Sequence, residues 1–357
     1  MDKKDASPRV RPAAARKAGG SERLNIADIA ALANVSTSAV SYALNGREGV
    51  GDETRKRILD IAAAANWRPN SAARSLIMAR SSAVGIVNQY DPDKPALSAE
   101  FTGHFLVGLQ DSLRREDVLL VMHMVDDVDA ACGVYQRWLG ERRVDGVLML
   151  NPLLDDPRIA ELERLGLPAV VVGDARRRST LSSVWTDDAV ATGLAVDHLV
   201  GLGHRRIVRI GGDPLFLHVD IRRRAFAKAM KDHGLVHDER FSAGATTVEE
   251  VIAAVRDPER PVTALVIEDS AEAVKLVSAL MEHGVRVPED VSVIAWDDES
   301  ESTLVRPPLT VLRRDIEEYG RLAARALLDA IETGTKKHVR GSHTELIVRG
   351  STAAPAR

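Results

Sequence analysis

From residue 83 onward the chain is a succession of short apolar runs. They fall at 83–87, 118–124, 146–150, 169–173, 207–211, 264–267 and 291–296, and amphipathic stretches such as 105–115, 189–200, 222–233 and 271–283 lie between many of them. Strand–helix alternation of this kind predicts parallel α/β layers with strands buried on both faces. About 270 residues are generous for one such sheet, so the pattern predicts two α/β lobes. Before residue 83 the texture differs. Ile26, Ile29, Ala30 and Ala33 recur at helical spacing, Val35-Ser36 interrupts, and Val40, Ala43 and Leu44 mark a second short helix that Asn45-Gly46 ends. A third helix runs from Asp52 through Ile61, with acids in its first turn, where the helix dipole favours them. Trp67-Arg68-Pro69-Asn70 breaks the pattern, and residues 71–79 predict one or two further turns.

Composition narrows the classes. Of 357 residues, 45% are hydrophobic and 28% charged, which permits a sizeable core and argues against general disorder. No apolar run approaches the roughly 20 residues that cross a bilayer, and residues 1–20 lack the apolar stretch of a secretory signal. The single cysteine, Cys132, cannot build a disulfide framework or a cysteine metal site and reads as a packed residue rather than a nucleophile. The ten histidines form no H-E-x-x-H pair, and no G-x-S-x-G elbow, G-x-G-x-x-G loop or Walker A run occurs. The expectation is a soluble, intracellular protein with no catalytic residues, no cofactor, no metal and no membrane partner.

Charge is uneven. Residues 1–80 carry 14 Lys+Arg against 8 Asp+Glu, a net +6, so the remainder carries −10 of the total of −4. One reading is an end that meets a polyanion, the other a solvated basic tail. Six of those basic residues lie in the first 20 positions, which predicts a disordered arm over 1–22 adding non-specific phosphate attraction. Residues 26–45 have the grammar of a helix-turn-helix. Ala30 is small enough for a close helix crossing, and Asn34 tolerates the left-handed backbone of the turn. Val35 and Val40 plug the joint, and Ser36 can cap the second helix. Thr37, Ser38 and Tyr42 then project from its outer face, where they can reach base edges in a major groove. An ordinary helical hairpin with exposed polar residues has the same spacing.

The stretch from Asn25 to Leu76 resembles the headpiece of the LacI/GalR family of bacterial transcription regulators. The matches are Ile26-Ala27-Asp28-Ile29-Ala30, Val35-Ser36, Val40-Ser41, Leu44-Asn45, Thr54-Arg55, Pro69-Asn70 and Leu76. Residues 83–350 resemble the same family's sensor core, a two-lobed fold like the periplasmic sugar-binding proteins. The matches there are Val144-Asp145-Gly146-Val147, Leu167-Pro168, His198-Leu199, Gly201-Leu202-Gly203-His204-Arg205-Arg206-Ile207, Val287-Pro288-Glu289-Asp290-Val291-Ser292-Val293-Ile294, Trp296-Asp297-Asp298 and Arg306-Pro307-Pro308-Leu309-Thr310. The resemblance implies an N-terminal all-α helix-turn-helix headpiece followed by an α/β two-lobed, periplasmic-binding-protein-like sensor core. Its divisions are a basic arm at 1–22, a headpiece at 23–69, a hinge helix or linker at 70–80, an effector-binding and dimerisation core at 81–350, and a tail at 351–357. The chain is expected to cross between lobes near 152–170 and again near 285–310.

The resemblance also implies residue roles. Thr37, Ser38 and Tyr42 read bases; Ser36, Ser41, Asn45 and Thr54 hold phosphates. Ser36 also reads as a cap, Asn45 as a helix terminator and Thr54 as a surface residue. Tyr42 stands where the family often has Arg, so a bidentate guanine contact is unavailable; Ala39 replaces a common Thr, and Gly51 a common capping Ser. In the hinge, Leu76 matches the leucine that two paired hinge helices wedge into a minor-groove step. Asn70, Ala73 and Arg74 flank it at the DNA, with Ala72 and Ala73 small enough for close approach. So short a helix is marginal alone in water and is expected to order only on operator DNA.

The ligand cleft should lie between the lobes at the carboxyl ends of the strands. Gln89, Asn151, Glu268 and Asp297 end apolar runs, Arg222 begins a run like the family's R-x-x-G-F, and Phe101 can stack on a sugar or base face. Each also reads as a loop-facing side chain or a helix cap. Glu268-Asp269 and Asp187-Asp188 carry an acid where the family often has Asn. That favours a donor-rich or cationic ligand, though residues 222–224, all Arg, leave an anion open. The implied protein is a ligand-responsive repressor that binds a pseudo-palindromic operator as a homodimer, with a sugar-like effector, in the cytoplasm at the nucleoid. With no leucine heptad tail after 346–349, a dimer is expected rather than a tethered tetramer. The rivals are a solute-binding protein of the periplasmic sugar-binding type, which the headpiece and the absent export signal oppose, and an α/β enzyme, which the missing motifs oppose.

Overall fold

The computed structural model describes residues 24–44, 48–67, 80–89, 99–236 and 246–356. The chain divides into two compact units between Ala79 and Arg80. The first contains α1 (Ile26–Ala33), α2 (Thr37–Leu44) and α3 (Asp52–Ala64). Asn25 starts α1 with a capping box: its Oδ1 accepts from the amides of Ala27 and Asp28, at 2.8 and 3.2 Å, while Asp28 Oδ2 accepts from the Asn25 amide at 2.8 Å. Asn34 ends the helix in the left-handed region, φ 51° and ψ 52°, as the turn requires. Ile29, Val40 and Ile58, one from each helix, are wholly shielded from solvent, with Ala30, Ala33 and Ala43 filling between them. Gly51 precedes α3 without a side-chain cap.

The second unit has two lobes, each a sheet with helices on both faces. The first lobe contains β1 (Ala83–Gln89), β2 (Leu119–Val125), β3 (Gly146–Leu150), β4 (Ala169–Val172), β5 (Ser182–Trp185) and β10 (His338–Arg340). Their order is β10-β5-β4-β3-β1-β2, with every neighbouring pair parallel. Helices α4 (Ala99–Leu113) and α12 (Ile316–Thr333) pack on one face, α5 (Val128–Gly140) and α6 (Pro157–Leu165) on the other. The second lobe contains β6 (Ile207–Ile210), β7 (Ala264–Ile267), β8 (Ser292–Trp296), β9 (Thr310–Arg313) and β11 (Glu345–Ile347) in the order β11-β9-β8-β7-β6, parallel except for β11. Helices α7 (Asp188–Gly201) and α8 (Leu217–Asp232) cover one face, α9 (Val248–Val255) and α10 (Ser270–Glu282) the other; a short α11 (Ser300–Leu304) follows β8.

The crossings between lobes differ from the expectation. The chain does not change lobe near 152–170 or 285–310, because β4 and β5 both pair in the first sheet and β8 and β9 both pair in the second. It crosses at 186–187, at 314–315 and again at 341–344. Residues 351–353, expected as tail, are built into the second lobe. Ser351 is fully buried; its Oγ donates to the Val293 carbonyl and accepts from the Thr310 amide, while the Ala353 carbonyl accepts from His204 Nε2.

Candidate functional site

In the first unit the turn geometry presents α2. Ser36 Oγ accepts from the Ala39 amide at 3.2 Å, satisfying one orphan donor of the helix start. Val40 and Ala43 point into the core, which leaves Thr37, Ser38 and Tyr42 exposed on the opposite side. Ser41, on α2, and Thr54, in the first turn of α3, are half-buried. Asn45, Asn70, Ala73, Arg74 and Leu76, together with the arm at 1–22, lie outside the described residues.

In the second unit a cleft of about 130 Å³ lies between the lobes. The first lobe lines it with Asn151 after β3, Asp174 after β4, Phe101 from α4 and Tyr319 from α12; the second with Glu268 and Ser270 after β7, Trp296 and Asp297 at the end of β8, and His218 and Arg222 from α8. Thr186 and Arg314 enter from the crossing segments and Asp188 from the start of α7. Asn151 and Asp297 turn the chain at their strand ends with φ 49° and 61°, a strained choice for non-glycine residues that clusters at functional sites. The cleft is clasped on two sides. The Ser300 amide and Oγ donate to the Glu100 carboxylate at 3.0 and 2.8 Å. Elsewhere the Leu154 amide donates to the Leu215 carbonyl, and the Leu217 amide to the Pro152 carbonyl, both at 2.9 Å.

Charges alternate along the cleft wall. Arg314 donates to both oxygens of Asp297, at 2.7 and 2.9 Å, and to Thr186 Oγ1 at 3.1 Å. Asp188 accepts from Thr186 Oγ1 and from Arg222 Nε, each at 3.0 Å. The Arg222 guanidinium lies 3.8 Å from the centroid of the Trp296 ring, and Glu268 Oε1 accepts from Arg209 Nη1. None of these six ionic side chains is more than 12% exposed, so each charge requires its partner. Burial by itself raises the Asp188 carboxyl, but Arg222 and Arg314 outweigh it and hold it below the usual carboxylate range. At Glu268 burial wins over Arg222 and Arg209 and pushes the carboxyl upward. Burial, aided by Arg222, pushes His218 down to about 3. His218 is therefore neutral, donor at one nitrogen and acceptor at the other.

Of the six residues expected at the cleft, Phe101, Asn151, Arg222, Glu268 and Asp297 line it. Gln89 does not, among the described residues: β1 runs on to this position, where the exposed side chain donates to the Asp126 carbonyl at 3.1 Å. Arg223 and Arg224, considered for an anion, pair instead with Asp220. Sequence reasoning missed Thr186, His218, Ser270, Trp296 and Arg314 as cleft residues. Arg314 stands two positions after the apolar Val311-Leu312, just beyond Arg313 at the end of β9, a strand-end signal too brief to stand out; His218 has no local signal at all.

Residues 25–70 match the family described as bacterial regulatory proteins, lacI family, and residues 196–352 match the periplasmic binding protein-like domain. The HTH-type transcriptional regulator CelR of Thermobifida fusca is 31% identical over 331 residues, covering 90% of this chain and 96% of CelR. Among solved structures, a LacI family regulator from Bifidobacterium animalis subsp. lactis DSM 10140 superposes with a TM-score of 0.67 at 31% identity, covering 78% of this chain and all of that one (100%). A complex of the transcriptional regulator CelR with cellobiose superposes with a TM-score of 0.66 at 27% identity, covering 92% of this chain and 100% of that one. The chain belongs to the LacI family of bacterial transcription regulators. It is a DNA-binding regulator with a periplasmic-binding-protein-like core, and not an enzyme. Among the described residues no helix is long and apolar enough to cross a membrane.

Proposed function

We propose that the chain is a ligand-responsive repressor that binds a pseudo-palindromic operator as a homodimer, with affinity set by a sugar-like molecule in the interlobe cleft. The observation that carries this reading is α2, seated by Val40 and Ala43 and leaving Thr37, Ser38 and Tyr42 free for base edges. Ser36, Ser41 and Thr54 hold phosphates around it, and Asn45, Asn70, Ala73, Arg74 and Leu76 complete the contact on sequence grounds. Self-association is supported by β2, an edge strand that exposes Leu119, Met122 and Met124. Two copies about a two-fold axis present two headpieces to two half-sites. The cellobiose bound by CelR supports a sugar, and so do the strand-end carboxylates and amide, the neutral His218 and the aromatic Phe101 and Trp296. The ligand changes operator affinity to the extent that it binds two lobe arrangements unequally. Such a regulator works in the cytoplasm, at the nucleoid.

Selection from random duplexes, followed by mobility shifts at fixed salt, tests the reading. An inverted repeat is expected to be enriched. Tyr42→Ala is expected to change the preferred base at one position per half-site, by about 1–3 kcal/mol of discrimination. No enrichment over random competitor would refute the proposal, and an unchanged preference in the Tyr42 variant would remove that residue from the reading set.

A further inference from the structure

Glu268 leaves the end of β7 with its side chain 5% exposed. Its Oε1 is taken by Arg209, while Oε2 is buried without a hydrogen-bond partner among the described residues. Arg222 Nη1, at 3.9 Å, is too distant to supply one. Arg209 comes from β6, the neighbouring strand, and is 1% exposed. Its guanidinium lies against Gly211, where a Cβ would collide with it. Such a glycine leaves room for a charge placed there to serve Glu268. A buried carboxylate with no cation beside it would neutralise itself by taking a proton. Among the described residues the arginines that line the cleft are already engaged: Arg222 with Asp188 and the Trp296 ring, Arg314 with both oxygens of Asp297. An anionic ligand that needs a cation would have to break one of these buried pairs and would otherwise meet only the neutral donors Ser270 Oγ and Trp296 Nε1, buried without a partner among the described residues, whereas the unpartnered Oε2 asks for a donor.

On the reading of this cleft as the effector site, we infer that the effector donates a hydroxyl or ammonium hydrogen to Glu268 Oε2. Arg209 is the positioning residue that holds Oε1 and opposes protonation of this carboxylate, and the cleft disfavours carboxylated and phosphorylated ligands.

Titration calorimetry on the full-length protein tests this, with neutral aldoses and cellobiose each matched to its amino sugar, uronate and phosphate. The neutral or amino form is expected to bind at least about tenfold tighter than its acid counterparts, the scale of one charge-assisted hydrogen bond. A uronate or phosphate that outbinds its neutral parent, or a panel with no binding by any neutral or amino sugar, overturns the inference. The double variant Arg209→Met/Glu268→Asn removes both buried charges together. It is expected to keep the far-ultraviolet circular dichroism of the parent and to lose roughly tenfold of the neutral-to-anionic preference; an unchanged preference overturns it. Arg209→Met alone tests the positioning role. Besides Arg209, the charged or titratable groups facing Glu268 are Arg222 and His218 from α8, Asp188 from the start of α7, and Asp269, Asp297 and Arg314. With Arg209 gone, neutral-sugar affinity is expected to fall as pH drops from 7 to 5, because Glu268 takes a proton and ceases to accept. A profile no steeper than the parent's overturns the role. Mobility shifts without sugar on the same preparations report DNA binding separately, so a regulator with the opposite ligand class refutes this inference alone.

Discussion

His218 shows how one side chain ties the cleft to the stability of the core. Its folded pKa is about 3, against about 6.5 for an unfolded histidine. Between those values the unfolded chain binds a proton that the folded chain refuses. Stability therefore falls as pH drops below about 6.5, with a slope approaching 1.4 kcal/mol per pH unit. Burial lowers His198 and His204 as well, so they add in the same direction. Urea denaturation at pH 7.5 and pH 5 should show a smaller loss in His218→Gln than in the parent. An identical loss would mean that His218 is not protected from protonation in the folded state. Residue-scale reading from the sequence succeeded where chemistry is local. Asn34 is left-handed because the turn demands it, and Ser36 caps because it stands just before the helix. Such reasoning could not foresee that Arg222 and Asp297 are engaged by neighbours before any ligand arrives.

Elements were legible in proportion to their length and contrast. The runs at 146–150 and 264–267 coincide with β3 and β7, and the amphipathic stretch at 189–200 lies within α7. The strands β5 and β9 have four residues each, and β5 reads Ser-Ser-Val-Trp, too little apolar contrast to stand apart from a loop. Helices α5, α6, α9 and α12 lie outside the amphipathic stretches read from the sequence, although each buries one apolar face. The pairing of α4 with α12 is a tertiary fact. A Cβ on Gly320 would strike the Phe105 carbonyl, and one on Gly108 the Glu317 carbonyl, so the two helices approach backbone to backbone. Gly320→Val is expected to cost about 1–3 kcal/mol or more through overpacking, measured as a lowered urea midpoint of the core. A stability within error of the parent would show that the helices can separate cheaply.

The whole molecule carries separate cores. The cluster of Ile29, Ala30, Ala33, Val40, Ala43 and Ile58 belongs to the first unit and shares no residue with the four clusters of the second. So small a core is marginal by itself, and two such units need not unfold together. Ile58→Ala is expected to cost the first unit about 2–5 kcal/mol and to abolish duplex binding while leaving sugar binding intact. Calorimetry of both ligands on one preparation checks this; loss of both together would mean that the units unfold as one. The α/β layers, the grammar of the helix-turn-helix and the cleft residues Asn151, Glu268 and Asp297 followed from periodicity, capping chemistry and strand ends, while Arg222 came from the resemblance and Phe101 from its aromatic face. Those signals are local, carried within a few turns or a single strand, and a resemblance to relatives assembles them. The lobe each strand joins and the partner each buried charge takes depend on residues far apart in the chain: 34 positions for Asp188 and Arg222, 59 for Arg209 and Glu268, 128 for Thr186 and Arg314. Apolar runs of equal length suit either sheet, and an arginine suits any carboxylate within reach. Only the packed structure chooses among them, because only there does burial make a wrong pairing costly.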